Sequence, residues 1–317
     1  MSKIVAAKNV TPYKPSFFNE LSKDLARNKV IYLLLVPVIL YYFIFNYLPI
    51  YGVKIAFMNY SPIAGMDKSP WVGLANFKSF FDSIYFSRVV INTLLISIYN
   101  IIFGFPAPII FALILNEIGN QKFKKTVQTI SYLPHFVSTV VIAGLILNFT
   151  STEGIITNLL THIGFAKQNM LLNSSLFRTI YVGSDIWQGI GWASIIYIAA
   201  LMGVNQELYE AVTIDGGGRW RKLWHISLPG IMPTVVVMFI LRVGNMMNIG
   251  YEKIILLYNP AIYETADVIS TFVYRKGLLE YNYSFGTAIG IFNSVINLVL
   301  LYSMNRLSRK YSENSLW

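Results

Sequence analysis

Long apolar runs dominate this chain, and the charged positions fall between them rather than among them. Reading from one Asp, Glu, Lys or Arg to the next leaves six charge-free stretches of at least 19 residues: 30–53, 89–116, 126–152, 186–206, 223–241 and 281–305. A hydrocarbon layer about 30 Å thick takes about 20 apolar residues to cross as a helix. In lipid, a spanning segment must also satisfy its own backbone hydrogen bonds, which a helix does. Transmembrane β-strands would instead give alternating segments of about ten residues, a pattern these stretches lack. The pattern predicts an all-α integral membrane protein of six transmembrane helices and excludes a soluble enzyme.

Composition sharpens this picture. Of 317 residues, 55% are apolar and 13% charged, against about 25% charged in soluble domains. There is no cysteine, which removes disulfides and Cys-ligated metal centres. The three histidines, His135, His162 and His225, have no metal-ligand spacing. No G-x-x-x-x-G-K-[ST] loop occurs, so the chain has no P-loop for ATP.

Orientation follows from the loops. The first 29 residues are polar and basic, and the apolar run after them is too long for a signal-peptide core. The connecting segments alternate in length, with 117–125 and 207–222 short and 54–88, 153–185 and 242–280 long. Lys and Arg are more than twice as dense in the termini and short segments as in the long ones. The positive-inside rule puts the denser side, with both termini, in the cytoplasm. The net charge of +10 is then mostly cytoplasmic and faces anionic lipid. No basic run or aromatic-interleaved patch points to nucleic acid.

The segment 207–222 carries the one mechanistic motif. Glu210-Ala211-Val212-Thr213-Ile214-Asp215-Gly216 is followed by nine residues and then Ile226-Ser227-Leu228-Pro229. Leu208, Tyr209, Ala211 and Val212 predict a short helix, which Gly216-Gly217-Gly218 ends in a turn. Trp220, Leu223 and Trp224 at i, i+3, i+4 predict a restarted helix leading into the fifth span. Arg219, Arg221 and Lys222 stand at its start, where the helix dipole disfavours them. A partner, a lipid surface, or a plain interfacial connector all fit that arrangement.

This string resembles the EAA loop of binding-protein-dependent ABC importer permases of the maltose-permease type, E-A-A, three residues, G, nine residues, I-x-L-P. Glu210, Ala211, Gly216, Ile226, Leu228 and Pro229 match at the family spacing, and Val212 replaces the third-position alanine. Four further strings are similar to the subgroup that imports oligosaccharides and polysaccharide fragments. These are Tyr132-Leu133-Pro134-His135-Phe136-Val137-Ser138, Ile186 to Trp192, Leu256-Leu257-Tyr258-Asn259-Pro260 and Ser315-Leu316-Trp317.

The resemblance implies a type I ABC importer permease fold in a bacterial cell membrane, with helix one wrapping outside the core. It implies a non-catalytic transport subunit whose partners are a second related permease, an ABC ATPase dimer and an extracellular or periplasmic sugar-binding protein. ATP and Mg would be bound on the ATPase, and no cofactor or metal on this chain. It further implies that Glu210, Ala211, Asp215, Gly216 and Arg219 belong to a coupling helix seated on the ATPase.

A sugar path needs hydrogen-bonding and aromatic side chains at membrane depth. Arg242 ends the fifth stretch, with Asn245 and Asn248 following at i+3 and i+6. An arginine within a span marks function, although snorkelling to the interface fits equally. Gln188, Trp192 and Tyr197 in the fourth span are a second candidate set, against an interfacial aromatic belt. Asn293 and Asn297 mark a polar face of the sixth span, for the path or for helix bonding. Thr93, Ser97 and Asn100 do the same in the second, where helix packing is favoured. The tyrosines of 242–280, Tyr251, Tyr258, Tyr263 and Tyr274, suit either a docking surface or a surface-lying helix.

The expected organisation is a cytoplasmic tail at 1–29, a first transmembrane helix at 30–53, a permease core at 85–306 with its coupling loop at 207–229, and a tail at 307–317. The expected function is ATP-driven oligosaccharide import by alternating access. Peptide, amino-acid or metal cargo is the near alternative, though metal would favour an intramembrane carboxylate cluster that is absent. A membrane-embedded transferase is the distant one, and no set of acids or histidines has catalytic spacing for it.

Overall fold

The computed structural model describes residues 17–311 and 315. Residues 1–16 of the basic tail, residues 312–314 of the other tail, and Leu316 and Trp317 lie outside the described residues. Six helical segments among the described residues are long and apolar enough to cross a membrane: Lys29–Phe57, Phe86–Asn116, Thr139–His162, Ser174–Met202, Arg219–Gly244 and Tyr283–Lys310.

The chain divides into two compact units at Lys54 and Ile55. In the first, a short helix Phe17–Arg27 is followed by helix Lys29–Tyr42. Between them Asn28 donates its amide to Asp24 at 2.7 Å. The second helix passes into a π-turn at Phe43–Tyr47 and a 3₁₀ segment at Leu48–Phe57. Its apolar side chains from Val30 to Val53 are exposed, as suits lipid.

The second unit packs spans two to six around three apolar clusters. One joins Ile96, Ile142, Phe177 and Tyr181 to Ile254, Leu257 and Ile262. Another is rich in aromatics, with Phe80 and Phe272 fully buried beside Met247 and Ile289. The third joins Ile109, Leu113, Tyr197, Leu201 and Ile231.

Proline sets the irregularities. Span two shifts register at a π-turn, Asn100–Gly104, where Phe105 N bonds Asn100 O at 2.9 Å just ahead of Pro106. Pro106 has no N–H to give, so the preceding turn widens. The third apolar stretch does not form one helix. Helix Gln121–Tyr132 ends in a 3₁₀ turn at Leu133–Phe136, which contains Pro134, and the span starts at Thr139 behind the cap of Ser138. Neither break carries a charge, so a charge-free stretch runs straight through both.

Span four begins twelve residues before its charge-free stretch because it contains Arg178 and Asp185, both of which find partners. Asn173 caps it, accepting from Ser175 N at 3.0 Å. Span five is helical over Leu228–Gly244 and then stops. A non-helical turn follows, and a new helix, Tyr251–Leu257, restarts the chain.

The segment after that turn is clamped onto spans two and four. Asp267, with no exposure, takes Arg275 in a bidentate pair at 2.7 and 2.9 Å and Arg88 at 3.0 Å. Thr271 adds a hydroxyl at 2.8 Å. Asn92 donates to the carbonyls of Glu264 and Asp267 and accepts from Arg178 at 2.7 Å. Burial works against the Arg275 charge, yet Asp267 and the Tyr258 hydroxyl together hold its pKa above the usual range. The expected tyrosine surface is largely self-packed: Tyr251 stacks on Tyr274, and Tyr258 lies against Tyr263 beside the Arg275 guanidinium.

Candidate functional site

A cavity of about 940 Å³ opens where spans two, four and five meet the turn after Gly244. Its polar wall comes from Ser97 and Asn100 of span two, Asp185 and Trp192 of span four, Arg242 of span five, and Asn245 and Asn248 of the turn. Isoleucines of span four, with Phe105 and Met238, make the rest largely apolar. Such a mix suits a ligand with both hydroxyls and C–H faces.

The turn is held open by side chains. Asn297 accepts from Met247 N at 3.1 Å, and the Ser97 hydroxyl donates to the Met246 carbonyl. Asn248 donates to Asn245 Oδ1 at 2.5 Å and accepts from Asn293 at 2.7 Å. Irregular backbone at membrane depth is tolerated where it lines a cavity and its groups are satisfied.

Of the path candidates read from the sequence, Arg242, Asn245, Asn248, Trp192 and Tyr197 line the cavity. Gln188, Asn293 and Asn297 do not; the two asparagines of span six support the turn from behind. Arg242 sits in the last turn of its helix and is exposed to the cavity. Trp192 is covered on one face by His135, whose ring lies parallel at 4.7 Å, and is met edge-on by Phe136.

Asp185 and Tyr181 were not foreseen. Asp185 pairs with Lys253 at 2.7 Å, and Lys253 lies over the Tyr181 ring at 5.4 Å. The available signal was spacing: Tyr181, Asp185 and Trp192 fall at i, i+4 and i+11 on one helix face. Reading Asp185 as the edge of a loop concealed it.

The coupling candidates form a second, separate locus. Glu210 and Ala211 lie on helix Gln206–Ile214, whose cap Asn205 accepts from Glu207 N at 3.0 Å. Glu207 in the first turn complements the dipole. Asp215 caps the far end, and Gly216 follows at φ +71°. Gly216 N bonds Thr213 O and Gly217 N bonds Val212 O, the paired bonds of a Schellman turn. A left-handed residue there favours glycine.

Arg219 opens the helical turn Arg219–Lys222, which runs through a π-turn at Leu223–Ser227 into span five. Glu210, Ala211, Asp215, Gly216 and Arg219 are all exposed. So are the apolar side chains Leu208 (51%), Ile214 (86%) and Trp220 (75%), too many for so short a polar loop to leave uncovered. Among the described residues no group of three His, Cys, Asp or Glu could hold a metal ion.

Residues 104–313 match the family described as binding-protein-dependent transport system inner membrane component. The chain is 42% identical over 294 residues to protein LplB of Bacillus subtilis, covering 92% of each. It is 40% identical, over the same length and coverage, to the polygalacturonan/rhamnogalacturonan transport system permease protein YteP of that organism. It is also similar to a chain in the crystal structure of a bacterial ABC transporter involved in the import of the acidic polysaccharide alginate. That likeness has a TM-score of 0.84 at 43% identity and covers 92% of this chain and 99% of the other.

Proposed function

The chain belongs to the family of binding-protein-dependent transport system inner membrane components, and from that premise we propose that it forms one half of the path through an ATP-driven importer of oligosaccharides. The observation that carries this reading is the cavity of about 940 Å³ beside an interrupted fifth span. Its amide, hydroxyl and guanidinium groups alternate with indole and aliphatic walls, as a sugar chain requires. The relatives named for polygalacturonan, rhamnogalacturonan and alginate belong to the same chemical class.

Arg242, Asn245 and Asn248 line the path on one side and Trp192 and Tyr197 on the other. Asn293 and Asn297 set the position of the turn, and Gln188 stands next to Gly189 of the cavity lining. Glu210, Ala211, Asp215, Gly216 and Arg219 form the surface that meets the ATPase, with Ile214 and Trp220 as its apolar anchors. On this reading the loop 207–229 and both tails, 1–29 and 307–317, lie in the cytoplasm.

The remaining parts are a second related permease, an ABC ATPase dimer and an extracellular or periplasmic sugar-binding protein. ATP and Mg bind on the ATPase. Closure of the motor pulls the coupling helix, span five follows, and the cavity changes the side to which it opens. About 22 Å of helix separates Ser227 from Arg242, so a displacement at the loop reaches the cargo through one continuous helix. The test is uptake of a labelled oligosaccharide panel by cells with and without this chain. Equal uptake in both would overturn the reading.

A further inference from the structure

Two strings that stand apart in the sequence, 132–138 and 186–192, meet at one wall of the cavity. His135, in the 3₁₀ turn Leu133–Phe136 ahead of span three, lays its ring on the Trp192 indole of span four. The two planes are parallel to within 4° and their centroids are 4.7 Å apart. Phe136 meets the same indole at 83°, 5.5 Å from its centroid, and lies 5.6 Å from His135. These separations make a nearly equilateral triangle, so Phe136 stands beside the stack. On the opposite face of the indole it would be nearly twice as far from His135. Trp192 is nonetheless 46% exposed and lines the cavity. Its open surface is therefore centred on the face away from His135.

The backbone holds this arrangement on both sides of the turn. A Cβ on Gly191 would sit 2.2 Å from the Ser131 carbonyl oxygen, so span four and the chain entering the turn touch backbone to backbone. Pro134 stiffens the turn, and Ser138 caps span three just beyond it. His135 forms no hydrogen bond or ion pair with any described residue. The placement of its ring is committed to the indole. An offset aromatic stack contributes beyond the area it buries, and a side chain already held in its bound position loses less freedom when a ligand arrives.

We propose that His135 is a positioning residue for the cargo. It backs the Trp192 indole and holds the free face toward the cavity, as a platform on which the C–H face of a pyranose ring stacks. This rests on the oligosaccharide-import reading above and adds the residue that sets its aromatic wall, whatever the charge of the cargo.

The experiment uses the complete importer in cells, with its binding protein unchanged. The probes are labelled trimers to hexamers of glucose, mannuronate and galacturonate, and the oligomer that wild type carries fastest is used throughout. His135→Ala removes the backing ring, His135→Gln keeps a polar side chain without a ring, and His135→Phe restores a ring. Each is made in wild type and in Trp192→Leu, and recovery of the assembled complex is measured for all. An aromatic pair accounts for roughly a twofold to tenfold effect. His135→Ala and His135→Gln should each slow uptake about fivefold at subsaturating sugar, and His135→Phe should recover most of the rate. In Trp192→Leu the same changes should have no further effect, because His135 acts through the indole. Where Trp192→Leu carries too little sugar to measure, the contrast between His135→Phe and His135→Gln decides.

Equal slowing in both backgrounds overturns the inference, as does His135→Phe behaving like His135→Gln. Loss of the assembled complex in His135→Ala does the same, since the turn would then be a structural prop. If every His135 variant carries sugar as wild type does, the inference falls and the import reading stands. If wild type carries no oligosaccharide of any kind, both fall.

Discussion

The Tyr209 hydroxyl lies 2.9 Å from the Ser227 hydroxyl. Tyr209 belongs to the helix that presents Glu210, and Ser227, only 1% exposed, closes the π-turn from which span five departs. The bond ties the surface loop directly to the helix that carries Arg242. Tyr209→Phe removes one oxygen and leaves the ring in place. A neutral hydrogen bond contributes about 1 kcal/mol, so assembly should survive while the sugar moved per ATP hydrolysed falls. An unchanged ratio, measured in proteoliposomes, would show that the tether transmits nothing.

Glu210 makes no ion pair with any described residue and is exposed. Its replacement by alanine should therefore change stability by no more than about 0.5 kcal/mol. Uptake should nonetheless drop, with membrane insertion intact and ATP hydrolysis no longer matched to transport. Normal uptake by Glu210→Ala would end its assignment to coupling.

Asp267 stands at the other extreme. Its carboxylate is fully buried between Arg88 and Arg275, and removing one partner from a buried pair typically costs about 3–5 kcal/mol. Asp267→Asn should lower the thermal midpoint of the purified complex by several degrees. The exposed pair Lys276–Glu280 is the control, since such a pair contributes about 0–1 kcal/mol and Glu280→Gln should leave the midpoint unmoved.

Two glycines of span four separate close packing from mere composition. A Cβ on Gly191 would sit 2.2 Å from the Ser131 carbonyl oxygen, a backbone atom that cannot swing aside. A Cβ on Gly183 would meet nothing within 4 Å. Gly191→Ala should destabilise the complex and disturb Trp192 beside it, and with it uptake. Gly183→Ala should be neutral or stabilising by up to about 1 kcal/mol. Equal behaviour of the two in thermal unfolding and uptake would contradict the packing described.

The number and type of spans were legible because an unpaired charge facing lipid is costly, which keeps Asp, Glu, Lys and Arg out of such faces. The same logic misplaced boundaries wherever a charge is paired inside protein. Arg178 and Asp185 lie well within span four, and Arg88 near the start of span two, each with a partner that no local pattern reveals. Pro134 and Ser138 broke the third stretch without any charge to mark it.

The cavity was partly legible for a related reason. Arg242, Asn245 and Asn248 follow one another at three-residue spacing where a long apolar stretch ends, and they line it. Asn293 and Asn297 are equally polar but spend that polarity on the backbone and side chains of the turn. Telling these uses apart requires knowing where the turn lies, which is a tertiary fact. The string from Glu210 to Pro229 stood out by its resemblance to a family loop, whereas the bond from Tyr209 to Ser227 joins residues 18 positions apart and had no sequence signal.

The turn between Gly244 and Tyr251 draws its support from both sides of the chain in time. Ser97, which holds the Met246 carbonyl, is synthesised long before it; Asn297, which accepts from Met247 N, comes 50 residues later. Until the last helix leaves the ribosome and enters the bilayer, a backbone N–H in the turn lacks its acceptor. The turn that walls the cavity is thus completed at the end of biogenesis, so a chain truncated before residue 297 would insert five helices and still leave that wall without its last support.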